Sequence, residues 1–391
     1  DRKSRQMLHR AKKMNPQAVV VAAGCYVQSA GEALKLDEAV DLVIGNNKKT
    51  ELVRILDDYF ANEDHTVEET VIDIGAAKDY EALTIKRIAD HTRAFIKVTD
   101  GCNQFCSYCI IPFARGRVRS RNSEDVIREV KRLAEHGFRE IVLTGIHLSS
   151  YGVDTGDDLL HLIREVHNVD GIERIRLGSL EPRIVTDGFA AALAGLPKIC
   201  PHFHLSLQSG CDATLQRMNR RYDTREYEEG CQILRKYFDH PAITTDVIVG
   251  FPGETEEDQE EVMRFVDEME FERLGVFAYS QEEDTPAAEF PDQVPQELKE
   301  ERRDEIMELQ QEISYEKSQS MIGKVLEVMI EGKVADENAY VGRTYMDAPG
   351  VDGLIFINTD LDLMSGDFVR AKVTGALEYD LIGEICDEPA Q

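Results

Sequence analysis

From about Thr92 onward, short apolar runs alternate with stretches of helical period. Ala94 to Val98, Glu140 to Gly145, Ile172 to Gly178, His202 to Gln208, Ala242 to Gly250 and Leu274 to Tyr279 read as strands, and six strand-then-helix units in a row predict a parallel, partly closed α/β barrel. The helix that begins near Ser123 shows how the period is read. Ser123 caps it, Glu124 and Asp125 suit its first turn, Val126, Ile127, Val130, Leu133 and Ala134 form one apolar stripe, and Gly137 ends it. A later helix is announced by Gly250 to Thr255 and runs through Val262, Phe265, Val266 and Met269.

The flanks follow other rhythms. Residues 18 to 24 read as a short buried strand running up to Cys25, and Leu42-Val-Ile-Gly starts another such unit, as at the end of an α/β domain. Acidic Glu63 to Glu69 and the polar stretch to Asp90 read as a connector. Residues 295 to 317 form a charged helical segment. After Gly323 the chain changes to short alternating strands, Val325 to Ile330, Ala339 to Thr344, Gly353 to Ile357 and Phe368 to Val373, which predict a small antiparallel β-barrel. The expected domains are therefore 1–78, 90–320 and 321–386.

The 391 residues, 42% of them hydrophobic, leave room for a full enzyme core. Charge is unevenly spread: residues 1–250 carry a net −3 and residues 251–391 a net −26 of the total −29. Such acidity serves solubility, and it also suits a C-terminal module that repels nucleic acid and fits a basic protein partner. Eight cysteines lack the density of a secreted disulfide scaffold, and neither a signal peptide nor an apolar run long enough to cross a bilayer is present, so a cytoplasmic protein without a membrane partner is expected. The opening on Asp1, inside a basic segment, is expected of a piece of a longer chain.

Cys102, Cys106 and Cys109 form a CxxxCxxC triplet. Three thiolates on one short loop can hold three irons of a 4Fe-4S cluster and leave the fourth iron open for a ligand. A structural zinc loop wants four ligands, commonly as paired CxxC units, and no matching pair exists. Alternation along the fourth strand places His202, His204, Ser206 and Gln208 on one face, either as ligand-binding groups or as a satisfied polar network, with Gln208 best placed at the strand's C-terminal end. The same logic selects Glu181, Asp246 and Gly145, each of which could equally be a turn or packing device. Arg115, Arg117, Arg119 and Arg121 share a face if extended, to grip phosphate or carboxylate or simply to edge the surface; Arg220 and Arg221 are similar candidates. Cys200, Cys211, Cys231 and Cys386 lack ligand spacing and read as packing thiols.

Taken together, Ala23-Gly-Cys-Tyr-Val-Gln, the Asp100-Gly-Cys loop, Gly145-Ile-His-Leu-Ser-Ser-Tyr-Gly, Leu205-Ser-Leu-Gln-Ser-Gly, Arg217-Met-Asn-Arg-Arg and Gly250-Phe-Pro-Gly-Glu-Thr resemble the radical S-adenosylmethionine methylthiotransferases over nearly the whole chain. The resemblance implies a partial (β/α)6 radical SAM barrel, a truncated N-terminal α/β domain that in the family holds a second 4Fe-4S cluster, and a C-terminal TRAM barrel that helps present substrate. It implies that Cys102, Cys106 and Cys109 ligate the first cluster, that S-adenosylmethionine chelates the open iron, and that Tyr108 lies beside the adenine; the candidates chosen by position and charge, Gly145, Glu181, Gln208, Arg220 and Asp246, are then expected to bind the cofactor. In that scheme a 5'-deoxyadenosyl radical abstracts hydrogen from a C-H bond, and sulfur and a methyl group follow, with two molecules of cofactor used. A monomer reduced by flavodoxin or ferredoxin is the implied setting.

Two departures qualify the resemblance. Of the three auxiliary-cluster cysteines only Cys25 corresponds, and the other two are expected upstream of Asp1. Residues 1 to about 245 resemble the branch acting on threonylcarbamoyladenosine in tRNA, through His147-Leu-Ser-Ser-Tyr and Ile199-Cys-Pro-His-Phe-His. From about Glu254, Arg273-Leu-Gly-Val-Phe-Ala-Tyr-Ser, Gly342-Arg-Thr-Tyr-Met-Asp-Ala-Pro and Ala376-Leu-Glu-Tyr-Asp-Leu resemble the branch modifying an aspartate of a small-subunit ribosomal protein. Because the barrel shapes what meets the radical, tRNA is the expected substrate and the ribosomal protein the alternative; an inactive fragment or an iron-sulfur binding module would follow if the cofactor were not cleaved.

Overall fold

The computed structural model describes residues 2–63, 67, 70–83, 93–335, 338–348 and 350–386. Of the expected connector, residues 64–66, 68–69 and 84–90 lie outside the described residues. Upstream of it, β1 (Val21–Ala23) and β2 (Leu42–Ile44) pair in parallel, and Ala22, Val27, Leu34 and Val43 pack on one side of the pair while Leu42, Ile44, Ile55 and Tyr59 pack on the other.

The six expected parallel strands are β3 (Arg93–Asp100), β5 (Glu140–Gly145), β6 (Arg174–Leu177), β7 (His202–His204), β8 (Ala242–Val249) and β9 (Arg273–Ala278), with a two-residue β4 (Arg119–Ser120) antiparallel to the end of β3. Isolated parallel bridges Ile175–Ile199 and Leu180–Leu205 join the two halves. The order is thus β4-β3-β5-β6-β7-β8-β9, a barrel left open between β3 and β9. Its outer surface is closed by helices whose apolar stripes meet the strands in one large core.

Local chemistry differs from expectation in places. Asn122, not Ser123, caps the helix Ser123–Glu135, because its side-chain oxygen accepts from the backbone N–H of Glu124 at 2.9 Å; Ser123 is the first helical residue. The expected strand His202 to Gln208 keeps regular pairing only to His204. Beyond that Leu205 and Leu207 stay buried, and Gln208, at a left-handed φ of 71°, still bridges to Val247 of β8 in parallel, its N–H donating to Asp246 O at 2.9 Å and its carbonyl accepting from Ile248 N–H at 2.8 Å. Thr255 forms a reciprocal capping box with Asp258 ahead of the helix Glu256–Met269.

After the helix Gln296–Ser320 the C-terminal module closes as five strands, β10 (Val325–Lys333), β11 (Ala339–Arg343), β12 (Ile355–Asn358), β13 (Phe368–Ala376) and β14 (Leu381–Ile385), in the order β10-β11-β12-β14-β13. The fifth strand was missed in the sequence, and its pairing with β12 is parallel, so the barrel is not wholly antiparallel. This module sits on the N-terminal ends of the large barrel's strands. Glu140, first residue of β5, meets Arg176 Nε at 3.2 Å and Arg343 Nη2 at 2.9 Å, Arg93 and Arg343 share Glu331, and Arg273 Nη2 donates to Tyr379 O at 2.9 Å.

The same junction carries a pH signature. His202, at the start of β7, is buried with neither ring nitrogen hydrogen-bonded among the described residues, and Asp352 Oδ2 stands 3.6 Å from Nε2. Burial pushes its pKa down to about 4. The folded state therefore resists charging the ring, and stability present above the unfolded value near 6.5 is lost as pH falls toward 4. Asp347, pushed up to about 6 by burial, acts oppositely and costs stability as pH rises toward 6. In denaturant titrations at pH 7 and pH 4.5, His202→Gln is expected to lose about 2 kcal/mol less than the parent chain on acidification; equal losses would mean that His202 does not carry the effect.

Candidate active site

The cysteine loop leaves the C-terminal end of β3, the end opposite the C-terminal module. Gly101 starts it at φ 71°, where a side chain would strike the Arg117 carbonyl, its Cβ only 1.9 Å away, so the turn needs glycine. Cys102 N–H donates to Gly116 O at 3.0 Å and Cys109 N–H to Cys106 O at 3.0 Å, which fixes both ends of the triplet. The middle is stapled to residues 217 to 219: Ser107 N–H donates to Met218 O at 3.0 Å, Ser107 Oγ to Arg217 O at 2.8 Å, and Asn219 Nδ2 to Phe105 O at 2.8 Å. Phe105, at φ 53°, is held in the left-handed region by those contacts.

The three thiols share one electrostatic environment. Burial pushes Cys109 up to about 11, and Cys106 and Cys102 add to it; burial and Cys106 also raise Cys102, while Arg220 opposes. Arg220 Nη1 donates to Cys106 Sγ at 3.2 Å, and the Gln104 N–H points to Cys102 Sγ at 3.4 Å. Arg220 is itself fixed, its Nε donating to Tyr222 Oη at 3.0 Å with the guanidinium 4.8 Å from that ring's centre. Tyr222 in turn donates to the carbonyls of Ser206 and Leu207. Three thiols with N–H donors on two of their sulfurs fit an iron-sulfur cluster, since coordinated iron holds thiols deprotonated against the burial that raises them here. Among the described residues no three Cys, His, Asp or Glu side chains converge as a site for a single ion; a cubane, whose thiolates approach different corners, does not require that.

Around the loop the sequence candidates divide. Tyr108 donates to Gln208 Oε1 at 3.1 Å and meets Phe251 edge-on, so Tyr108, Gln208, Arg220 and the cysteines converge. Asp246, whose backbone carbonyl accepts from Gln208 N at 2.9 Å, turns its carboxylate into the barrel lumen, 3.4 Å from His204 Nε2. Glu181 binds Arg183 at 2.6 Å on the side of the mouth where His147 meets Ser150. Gly145 is a close-approach position, but what approaches is Thr99, whose Oγ1 leaves no room for a side chain.

The four arginines do not share one extended face, and Arg117 alone is exposed, over the Phe105 ring. Arg119 is buried with its Nη1 on the carbonyls of Arg115 and Arg117, Arg121 is paired with Glu129 at 2.5 Å, and the segment bends from the helix Ile111–Arg115 into β4. Arg221 is exposed. Cys200, Cys211 and Cys231 are buried, as packing thiols should be, and Cys386 is partly so.

Cys25 begins the helix Cys25–Lys35 and accepts from Arg115 Nε at 2.9 Å, which brings it beside the helix that directly follows the cysteine loop. No other cysteine occurs in residues 1–78, so this sequence supplies one thiol and not the three of a complete second cluster site. Ser107, Asn219 and Tyr222 were not anticipated: their partners are backbone carbonyls, which leave no spacing in a sequence.

The radical SAM superfamily model matches residues 96–266 and the TRAM domain model residues 322–386. Over 376 residues the chain is 38% identical to the ribosomal protein uS12 methylthiotransferase RimO of Clostridium novyi (strain NT), covering 95% of this chain and 83% of that protein. It is 37% identical over 383 residues to the threonylcarbamoyladenosine tRNA methylthiotransferase MtaB of Bacillus subtilis (strain 168), covering 96% and 83%. It is 36% identical over 381 residues to the tRNA-2-methylthio-N(6)-dimethylallyladenosine synthase of Clostridium botulinum (strain Langeland / NCTC 10281 / Type F), covering 95% and 82%.

Proposed function

The chain belongs to the radical SAM methylthiotransferases, enzymes that use a 4Fe-4S cluster and S-adenosylmethionine, and from that premise we propose that it methylthiolates carbon 2 of threonylcarbamoyladenosine beside a tRNA anticodon. Near-equal identity to relatives named for a ribosomal protein and for two tRNA nucleosides gives the reaction class without the substrate. One observation carries the choice: the C-terminal module, net −9 over residues 321–391, is docked on the strand ends opposite the cysteine loop, so its carboxylates do not face the mouth where a polyanion would arrive, and the other −17 of the last third belongs to residues 251–320 of the radical SAM barrel itself. The mouth-forming segments, from the cysteine loop to Tyr222, lie in the part of the sequence that resembles the tRNA-acting branch.

In this reading Cys102, Cys106 and Cys109 hold the cluster, which when bound delivers one electron to the cofactor's sulfonium. Arg220 fixes Cys106 and offsets thiolate charge. Tyr108 and Gln208 line the cofactor's place, with Glu181 and Asp246 at its rim, and Gly145 gives Thr99 its close packing beneath. Cys25 contributes one thiol to the sulfur-carrying site. The units 1–78, 90–320 and 321–386 serve as sulfur-carrying, radical and TRAM domains. Among the described residues no helix is long and apolar enough to cross a membrane, and the working setting is a reducing cytoplasm with flavodoxin or ferredoxin as electron donor and the chain as a monomer.

The test uses anaerobically reconstituted protein, extended upstream where its gene encodes more, offered threonylcarbamoyladenosine tRNA and ribosomal protein uS12 in parallel with mass spectrometry as readout. A methylthio group is expected on the tRNA. Its appearance on the protein alone would overturn the substrate assignment and leave the reaction class standing.

A further inference from the structure

The lumen of the open barrel is a cavity of about 750 Å3, within the range of small-ligand sites. Its floor is made by Ala348, Val351, Asp352 and Tyr379 of the C-terminal module. Its wall mixes apolar side chains, Val142, Leu177, Leu274 and Met307, with polar ones, and two phenylalanines stand out on it. Phe95 on β3 and Phe277 on β9 both face the cavity and are 54% and 56% exposed, although each sits inside a strand of a folded core.

Their strands are the two that border the barrel's gap. Among the described residues β9 pairs only with β8, and on β3 the pairing with β4 at Thr99 and Asp100, the bond from Arg121 N–H to Val98 O at 2.8 Å and that from Tyr80 Oη to Lys97 O at 2.8 Å all lie past Phe95. The rings therefore stand on either side of the opening. Among the described residues no aromatic ring or cation stacks on either of them, in a molecule where Tyr108, Phe203, Tyr222, Tyr227, Phe251 and Phe271 all have ring partners. Exposed aromatic faces flanking a cavity are unusual in a core and characteristic of a place where a flat ring stacks.

Between the two rings the wall offers donors and acceptors. Thr144, Ser179, His204, Thr244 and Asp246 line it, with His204 Nδ1 at 3.0 Å from Thr244 Oγ1 and Nε2 at 3.4 Å from Asp246. That combination, π-faces at the sides and mixed hydrogen-bonding groups behind, matches a planar heteroaromatic ring with polar edges. Arg176 and Arg273 also line the cavity, but each is committed at the module junction, Arg176 to Glu140 and Tyr345 O and Arg273 to Asp347 and Tyr379 O, so the two rings and Asp246 mark the slot. Gly275, facing the lumen from β9, keeps the slot open: a Cβ there would come within 2.8 Å of Asp246 Oδ1 and 3.2 Å of the Phe277 ring.

We propose that Phe95 and Phe277 form a stacking slot at the open side of the barrel that receives the purine base of an RNA substrate flipped out of its stack. The proposal rests on the tRNA reading given above and deepens it, assigning specificity to Phe277 and to Phe95, which stands on the strand that leads into the cysteine loop. His204 and Asp246 then read the base edge. Purine binding by this slot needs neither cluster nor cofactor chemistry, so it can be measured apart from turnover.

The probe is the free nucleoside N6-threonylcarbamoyladenosine, titrated by calorimetry against the full chain, with a short aspartate-centred peptide as comparison. The parent chain is expected to bind the nucleoside and not the peptide. Phe277→Leu and Phe95→Leu, which keep apolar bulk but remove the ring face, are expected to weaken binding by at least about fivefold each, and Phe277→Trp to retain it. Circular dichroism spectra matching the parent's exclude misfolding as the cause, and the tryptophan variant must bind if the leucine effect is one of stacking. Equal affinities for parent and leucine variants would overturn the slot while leaving tRNA methylthiolation intact. Binding of the peptide in place of the nucleoside would overturn the slot together with the tRNA assignment.

Discussion

Cys106→Ser is expected to reduce S-adenosylmethionine cleavage to background and to leave the chain unable to retain about four irons after anaerobic reconstitution. Cys106 is the most buried of the three loop thiols and the one whose sulfur accepts from Arg220, so it has the least freedom to be replaced by a neighbour. Serine keeps the shape but offers an oxygen whose proton is far harder to remove, and iron-sulfur irons select soft thiolate. Loss of one ligand also leaves two thiols where three are needed to leave a single open iron. The control is Cys211→Ser, since Cys211 is buried away from the loop with its thiol on Asp258 at 3.4 Å. It should retain iron and cleavage. Iron and sulfide content with 5'-deoxyadenosine release measure both. Undiminished cleavage by the Cys106 variant would remove the triplet from the site.

The barrel was legible because each of its strands is a compact apolar run and each helix a 3.6-residue stripe, and because those periods survive tertiary packing: Val126, Val130 and Leu133 are buried as the stripe requires. What the sequence hid is decided by through-space partners. The apolar alternation of residues 202 to 208 is real, but Gln208's left-handed φ comes from bonds to Asp246 O and from Tyr108, and nothing local announces it. Spacing left the arginine strip open between a grip and a surface edge, since it cannot show that Arg119 turns inward to carbonyls. Leu381–Ile385 escaped notice as a strand because Gly383 and Glu384 break its alternation, and only closure of the barrel pairs it. Nothing in the sequence singles out Phe95 and Phe277 within their strands; it is the open side between those strands that leaves them exposed.

The largest stability effect is expected at Glu140, where the two barrels meet. Its carboxylate is fully buried between Arg176 and Arg343, whose side chains are each 1% exposed. Burial alone would raise its pKa, yet the Arg343 and Arg176 charges outweigh that and hold it below the usual glutamate value, so the ion pair's stabilisation is present above that value and is lost as pH falls below it. Glu140→Ala strips the partner from two buried guanidinium groups at once. Arg343 keeps Glu331 and Arg176 keeps Tyr345 O at 2.9 Å, but neither can leave for water without separating the modules. The expected cost is about 3–5 kcal/mol in denaturant unfolding, whereas Glu140→Ala combined with Arg343→Met should cost less than the sum of the two single changes, because the second removes a charge the first has orphaned. A loss below about 1 kcal/mol would show that water reaches the site. Since Glu140 lies at the far end of its strand from the cysteine loop, iron content in the folded variant should match the parent's, so that a loss of stability without a loss of iron separates the module junction from the chemistry at the mouth.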